Sequence, residues 1–462
     1  MFNGINDDKL REECGVIGIY KSDTESVAQH VYFGLYSLQH RGQESAGIAT
    51  NNGTQTHYHK GMGLVPEVFN DETLGKLKGH IGIGHVRYST TGESYVENAQ
   101  PLSVRYKGGS ISLAHNGNLV NTKAIRSQLE DDGVVFQTTI DSEVIVNLIA
   151  RYSNDGIEYA IKRTMDQIKG AYALVVMTED SVFGVRDPLG LRPLCLGSIE
   201  GGYVLASESC ALETMGATLI RDIEPGEIIR ISKEGTFSIY YTKESKKNVC
   251  IFEYIYFARP DSVMENISIY ESRKNAGRIL AKEHPVDADM VIAVPDSSIP
   301  AAIGYAEESG IPFGEGLMKN RYVGRTFIQP TQSMRELAVR LKLTPLKQNV
   351  NGKRLIMIDD SIVRGTTSKQ IVESLKAAGA KEVHVRIVSP PVAYSCYFGI
   401  DTPDRTQLLG ANKTIEEIRN FIGADSLAYI SLEGLVESTG LNNEQFCLAC
   451  FNGNYPIEVS NI

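Results

Sequence analysis

Leu355-Ile356-Met357-Ile358-Asp359-Asp360-Ser361-Ile362-Val363-Arg364-Gly365-Thr366-Thr367 decides the fold of the second half of the chain. An apolar, β-prone run ends in two carboxylates, and a loop of Gly, Ser and Thr follows. From Thr367, apolar Ile371, Val372, Leu375 and Ala378 recur at helical spacing, and the pattern ends near Gly379. Open α/β sheets bind ligands beyond the carboxyl ends of their strands. A helix N-terminus preceded by small and hydroxyl residues suits a phosphate, through its N–H groups and the helix dipole. The bland alternative is a strand, turn and helix with a capping Thr; the hydroxyl-rich loop weighs against it. No Gly-Lys-Ser/Thr follows the strand, so a nucleoside-triphosphatase loop is excluded.

Outward from this run, strand-like stretches at 290–294, 354–358 and 383–388 alternate with helical ones, the βαβ pattern of a parallel sheet. Pro295-Asp296-Ser297-Ser298 follows the first of them. Lys319-Asn320-Arg321-Tyr322-Val323-Gly324-Arg325-Thr326 is a basic run with a glycine hinge. The first half, to about residue 240, reads differently. Short β-like runs at 15–20, 81–88, 109–114, 171–177 and 227–232 are interrupted by helical stretches at 27–40, 141–154 and 156–168, which suggests sheets with helices on their outer faces. The Lys-rich segment 242–248 marks the boundary. Internal repeats and low-complexity tracts are lacking.

A chain of 462 residues with 42% apolar content is long enough for two or three cores. The net charge of −10 disfavours nucleic acid and anionic membranes as partners, so an anionic small substrate needs a local basic pocket. No stretch approaches the roughly 18–20 apolar residues of a membrane span. Residues 1–13 are polar and charged, without a signal-peptide core, so a cytoplasmic location is expected. There the seven cysteines stay reduced, and conspicuous ones read as catalytic or metal-binding.

Cys14 opens the first strand-like run, in Glu13-Cys14-Gly15-Val16-Ile17-Gly18. Alone, it reads as a small buried hydrophobe. Downstream come Gln39-His40-Arg41-Gly42-Gln43-Glu44-Ser45-Ala46-Gly47, Gly84-His85-Val86-Arg87-Tyr88-Ser89-Thr90 and His115-Asn116-Gly117-Asn118. With Cys14 these runs resemble the glutaminase domain of the class II amidotransferases, which are N-terminal-nucleophile (Ntn) hydrolases. The resemblance implies a four-layer αββα domain over residues 14–240 and removal of residues 1–13 as a propeptide. The chemistry agrees: a free α-amino group has a pKa of about 7.7–8.0 and can act as general base toward its own thiol. Before cleavage that nitrogen is an amide and takes no proton.

Matching position by position implies that Asn116, through its side-chain amide, and Gly117, through its N–H, form an oxyanion hole. Arg87 then holds the glutamine α-carboxylate, a task for a bidentate guanidinium, and Asp141 pairs with the α-ammonium. Singly, these residues read as a surface ion pair, a turn and an N-cap. Their joint order from Cys14 to Asp141 carries the functional reading.

The Asp359-Asp360 run resembles the binding motif of the type I phosphoribosyltransferases for phosphoribosyl pyrophosphate (PRPP). It implies an α/β parallel-sheet domain over 250–410, followed by a helical segment over 411–462. Asp359 and Asp360 then handle the ribose hydroxyls and Mg²⁺, with Ser297 as a further Mg²⁺ ligand. Arg364, Gly365, Thr366, Thr367 and Ser368 cradle the 5-phosphate. Lys319, Arg321, Arg325 and Lys342 supply positive field to pyrophosphate from a loop that closes over PRPP.

Cys447-Leu448-Ala449-Cys450 has a spacing usable by zinc, iron–sulfur or redox chemistry. Together with Cys250 and Cys396 it resembles the Bacillus-type branch of the PRPP-using amidotransferases, which implies a structural [4Fe–4S] cluster in preference to a four-cysteine zinc site. Cys195 and Cys210 lie in strand-like runs and read as buried and inert.

The joint resemblance implies an enzyme that hydrolyses glutamine and delivers ammonia to C1 of PRPP. Its products are 5-phosphoribosylamine, glutamate and pyrophosphate, at the start of purine synthesis. It further implies an internal ammonia channel, feedback inhibition by purine nucleotides and a homotetramer. Glucosamine-phosphate synthase and asparagine synthetase share the glutaminase domain, but Asp359-Asp360 and its loop exclude their acceptor domains. A non-enzymatic PRPP- or purine-sensing regulator is the alternative; Cys14 and its substrate clamp count against it.

Overall fold

The structure, a computed structural model, describes residues 14–88, 94–243, 245–320 and 343–459. In the first half, strands β1 (Gly15–Lys21), β2 (Ser45–Asn51), β3 (Thr56–Met62), β4 (Ile81–Arg87), β5 (Leu102–Tyr106), β6 (Gly109–Leu119), β7 (Gly170–Met177), β8 (Val182–Arg186), β9 (Cys195–Ile199), β10 (Gly202–Ala206), β11 (Thr218–Asp222), β12 (Glu227–Ser232) and β13 (Gly235–Tyr241) build two antiparallel sheets. One runs β11-β9-β10-β1-β4-β2-β3, the other β13-β12-β8-β7-β6-β5.

Strand alternation divides these side chains between layers. Val16 and Tyr20 of β1 meet Ala173 and Val175 of β7 and Leu205 of β10 in a core between the sheets. Ile17 and Ile19 face the other way, onto Val31 and Leu35 of the helix Ala28–Ser37 and Ala211 and Leu212 of the helix Ser209–Thr214. On the outer face of the second sheet, Leu174 and Val176 pack under Val144, Ile145 and Leu148 of the helix Ser142–Tyr152 and Ile161 of the helix Ile157–Met165. The result is four layers, αββα. Strands covered on both faces are apolar throughout, as β7 is.

The second half holds a parallel sheet of the strands Met290–Ala293, Arg354–Asp359, Glu382–Ile387 and Ser426–Tyr429, in that spatial order. Ile356 and Ile358 point to the layer holding Leu280, Ala302 and Tyr305, from the helices Ile269–Glu283 and Ile299–Ser309. Leu355 and Met357 point to Ile371, Val372, Leu375 and Ile418, from the helices Thr366–Ala377 and Ile415–Ile422.

Three local expectations need correction. The strand expected at 109–114 continues to Leu119, because β7 pairs with it along its whole length. Cys210 lies in the helix Ser209–Thr214 rather than in a strand, although Cys195 and Cys210 are both buried. The tail after 410, expected to be helical, also contributes the strand Ser426–Tyr429 to the parallel sheet. Among the described residues no helix is long and apolar enough to cross a membrane.

Candidate functional site

Cys14 precedes β1, and its thiol lies 3.6 Å from the Tyr88 carbonyl at the end of β4. Burial pushes the thiol up to about 11; Arg87 pulls it down, while Glu44 and Asp141 push it further up. The expected nucleophile and its two expected substrate clamps therefore share one electrostatic environment. At neutral pH such a thiol is almost wholly protonated and needs an adjacent base to become a nucleophile.

The expected oxyanion donors sit inside β6, not in a turn. Asn116 pairs with Ala173 and Gly117 with Tyr172 across β7. Gly117 has φ of +139°, and a Cβ there would fall 2.0 Å from the Ala171 carbonyl oxygen, so no larger residue fits. Asn116 is fully buried, yet both its amide nitrogen and its amide oxygen lack a hydrogen-bond partner. Leaving such a group unmatched costs about 1–3 kcal/mol, which is sensible where a ligand completes the pairing.

Asp141 immediately precedes the helix Ser142–Tyr152, but its side chain does not cap it. Instead Oδ2 accepts from the Leu119 N–H at 3.0 Å, and Oδ1 lies 3.5 Å from Nδ1 of His115. Burial acts to raise its pKa, but His115 and the N–H groups of Leu119 and Ser142 outweigh it and hold the carboxyl below its ordinary range. Sequence reasoning gave no role to the residues around it. Ser142 Oγ approaches His115 Nδ1 at 3.1 Å and accepts from Gln100 Nε2 at 3.0 Å, while Gln100 Oε1 accepts from the His115 N–H. His85, buried beside them, donates to or accepts from nothing at Nδ1, and its Nε2 meets the His115 carbonyl at 3.0 Å. Burial drives its pKa down to about 3, so it stays neutral.

Arg87 is not a surface residue. It ends β4, is 2% exposed, and its guanidinium meets Glu44 at 2.5 Å. Glu44 belongs to the run 39–47, whose Arg41 is equally buried. Arg41 Nε donates to the Cys14 carbonyl at 3.2 Å, Nη1 to Glu208 at 2.6 Å, and Nη2 to Glu253 at 2.7 Å, with a second bond from Nη1 to Glu253 at 3.0 Å. Both carboxylates raise the Arg41 pKa against the effect of burial. Glu253 lies 212 positions along the chain, so no local pattern announces this pairing.

In the second half, the strand Arg354–Asp359 delivers Asp359 and Asp360 to its carboxyl end, both 1% exposed. Ser297 Oγ donates to Asp360 at 2.7 Å, Ser298 Oγ to Asp359 at 3.4 Å, and Ser361 Oγ to Asp360 at 2.9 Å. Lys319 pairs with Asp296 at 2.6 Å, which places one basic residue of the expected loop beside the 295–298 turn. Arg321, Arg325 and Lys342 lie outside the described residues, as does the stretch 1–13. The helix Thr366–Ala377 begins directly after Gly365 with no side-chain cap on its N-terminus, and Ser368 is buried in its first turn. Arg364 donates to Gln407 at 3.0 Å.

For a divalent cation the fit is partial. Among the described residues no three His, Cys, Asp or Glu side chains converge as a metal site. Two carboxylates with neighbouring hydroxyls form an incomplete site of the kind Mg²⁺ occupies together with substrate phosphates.

Cys250, Cys396, Cys447 and Cys450 line one space together with Leu191, Phe398 and Arg192. Residues 249–250 pair in parallel with 446–447, bringing Cys250 opposite Cys447. All four are free thiols. Four thiols around one mostly apolar space, with a guanidinium at its edge, are soft donors of the kind that zinc and iron–sulfur groups both take.

A model of the glutamine amidotransferase domain matches residues 85–214. The amidophosphoribosyltransferase of Archaeoglobus fulgidus is 53% identical, covering 96% of this chain and 98% of its own. That of Bacillus subtilis is 50% identical, covering 97% and 95%. Among solved structures, the B. subtilis glutamine PRPP amidotransferase complexed with ADP and GMP superposes with a TM-score of 0.92 at 50% identity over 97% of this chain and 98% of that one. A structure described as the allosteric regulatory enzyme of purine biosynthesis gives 0.93, also at 50% identity, over 97% of each chain.

Proposed function

Since the chain belongs to the amidophosphoribosyltransferases, we propose that Cys14, Asn116 and Gly117 carry its glutamine chemistry and that the Asp359–Ser368 strand end and loop carry its ribose chemistry. The protein is a glutamine amidotransferase and pentosyltransferase: it hydrolyses glutamine and transfers the ammonia to C1 of PRPP, giving 5-phosphoribosylamine, glutamate and pyrophosphate. The observation that supports the residue assignment best is the buried, wholly unpartnered amide of Asn116 beside Gly117.

In this reading residues 14–240 act as the glutaminase, 250–410 as the phosphoribosyltransferase, and 411–462 close the structure with cluster cysteines. Removal of residues 1–13 frees the α-amine of Cys14, which takes the thiol proton. Sγ then bonds to the carboxamide carbon, and the carbonyl electron pair moves onto oxygen, opposite the Asn116 amide and the Gly117 N–H. The proton passes to the departing ammonia, and water resolves the thioester to glutamate. Arg87 exchanges Glu44 for the substrate α-carboxylate, and Asp141 takes the α-ammonium.

At the second site Asp359 and Asp360 hold the ribose hydroxyls. Arg364, Gly365, Thr366, Thr367 and Ser368 receive the 5-phosphate at a helix N-terminus. Lys319, with Arg321, Arg325 and Lys342, faces pyrophosphate. Asp359, Asp360 and Ser297 would hold Mg²⁺ together with substrate phosphates, and the ion would supply charge neutralisation to the leaving group. A [4Fe–4S] cluster on Cys250, Cys396, Cys447 and Cys450 ties the tail to the junction of the two halves. Cytoplasmic location, a homotetramer and feedback inhibition by purine nucleotides complete the reading; the last is supported by the ADP and GMP of the B. subtilis relative.

Chain lacking residues 1–13, given glutamine, PRPP and Mg²⁺, should release glutamate and pyrophosphate together. Release of either without the other, from folded protein, would overturn the assignment of two coupled sites.

A further inference from the structure

We propose that residues 397–399 form the back wall of the oxyanion hole, and that Asn118, Arg192 and Gly399 are positioning residues for glutamine hydrolysis. The inference rests on the oxyanion role of Asn116 and Gly117 given above.

Four contacts support it. Asn118 Nδ2, two positions beyond Asn116 on β6, donates to the Tyr397 carbonyl at 2.9 Å. Arg192, 1% exposed, donates to the next carbonyl, that of Phe398, through Nε at 3.0 Å and through Nη2. The Phe398 ring packs with Ala171 and Leu191 in a small core of their own; Ala171 is the residue opposite Asn118 across β7. Gly399 then lies against Gly117 itself. Its φ is +114°, and a Cβ there would fall 2.9 Å from Nη2 of Arg192, 3.3 Å from the Gly117 carbonyl carbon and 3.4 Å from its Cα.

Gly117 thus has two close backbone neighbours, the Ala171 carbonyl and residue 399. An oxyanion donor must be aimed where the charge will develop, not where the ground-state oxygen lies. Displacing the wall therefore weakens only the tetrahedral state, and the loss appears in kcat while KM for glutamine stays. Arg192 is itself anchored, since Asp187 accepts from the N–H groups of Arg192, Leu191 and Leu189.

Gly399→Ala and Asn118→Ala in the full mature chain test this. Glutamine-dependent kcat should fall by about 10²-fold for Gly399→Ala, the scale of a small misplacement of reacting groups, and less for Asn118→Ala. Ammonia-dependent turnover should be unchanged. Glutamate γ-semialdehyde in its open form, whose carbonyl carbon bonds to Sγ while the thiol proton is given up and a tetrahedral oxygen is left in the hole, should lose affinity in step with kcat. Glutamate, which forms no such adduct, should bind as before.

Unchanged kcat in both variants overturns the proposal, and so does an equal loss of aldehyde and glutamate affinity, which would mean general loosening. Should Gly399→Ala not fold, Asn118→Ala, which removes a single side-chain amide, decides alone. Asn116→Ala separates the two levels: full glutamine activity there overturns the oxyanion assignment itself, whereas its loss beside normal wall variants overturns only the wall.

Discussion

The two proposed centres are built from the same kinds of residue but on different supports. At the proposed glutamine centre, polar groups from paired strands, from loops and from the start of the helix Ser142–Tyr152 hold one another: Arg87 on Glu44, Asp141 on the Leu119 N–H and beside His115, His115 on Gln100 and Ser142. At the PRPP centre Asp359 and Asp360 stand where a strand stops, held by three serine hydroxyls. The difference follows the chemistry. Acyl transfer creates charge that the protein alone must meet, so its donors are fixed in advance. Pyrophosphate arrives already charged, and the protein needs a cradle that admits and neutralises it.

Breaking one centre should therefore leave the other intact in one direction only. Cys14→Ala should lower glutamine-dependent turnover by about 10⁶-fold, the scale seen when a catalytic nucleophile is removed, and spare turnover with concentrated ammonia. Loss of both, with an unchanged thermal midpoint, would mean that the centres are not separable. Asp360→Ala should lower turnover with both nitrogen sources, by about 10²–10³-fold, as for loss of one charge-stabilising group. Full ammonia-dependent activity would remove Asp360 from the ribose chemistry.

Cys450→Ser sharpens the comparison at the place where the halves meet. The parent protein should be brown and oxygen-sensitive, with broad visible absorbance; the variant should lose that colour and most of its bound iron. A colourless parent carrying stoichiometric zinc would refute the cluster.

The smallest effect concerns acid. His85 titrates at about 3 in the folded protein against an ordinary 6.5, because burial disfavours its charge. Between those values the unfolded chain binds the extra proton, so His85 costs stability as pH falls below 6.5. His85→Gln should gain on the parent by about 1.4 kcal/mol per pH unit across that window, measured by chemical denaturation. Asp187 and Asp222, raised by burial to about 6 from 3.8, act in the opposite sense between those values. The difference between variant and parent is therefore the quantity to follow. A flat difference would show that His85 is not buried neutral.

Much of this was legible in the sequence. The βαβ run around Arg354–Asp359, the helix after it and the strands at 15–20, 81–88 and 171–177 follow from apolar patterning, which burial enforces directly. What escaped has a common cause in long-range pairing. Asn116 and Gly117 look like a turn until β7 is laid beside them. Asp141 looks like a cap, but its carboxylate is claimed by Leu119, 22 positions earlier. The strand Ser426–Tyr429 is too short to announce itself, and exists because Glu382–Ile387 offers it an edge. Cys210 shows the reverse error, since a buried residue in an apolar run was given the wrong period.

The Arg41 bridge bears on how such an enzyme could be taken apart. Its guanidinium donates to the Cys14 carbonyl and is clasped on two nitrogens by Glu253, which lies beyond the connector between the halves. A gene cut at 242–248 would part Arg41 from Glu253, one of its two carboxylate partners. Transplanting this glutaminase onto a foreign acceptor domain, or lending it to another chain by recombination, would require the graft to bring its own acid to that spot. The bridge thus makes the seam between the halves a poor place for fusion, whatever the connector's length and polarity suggest.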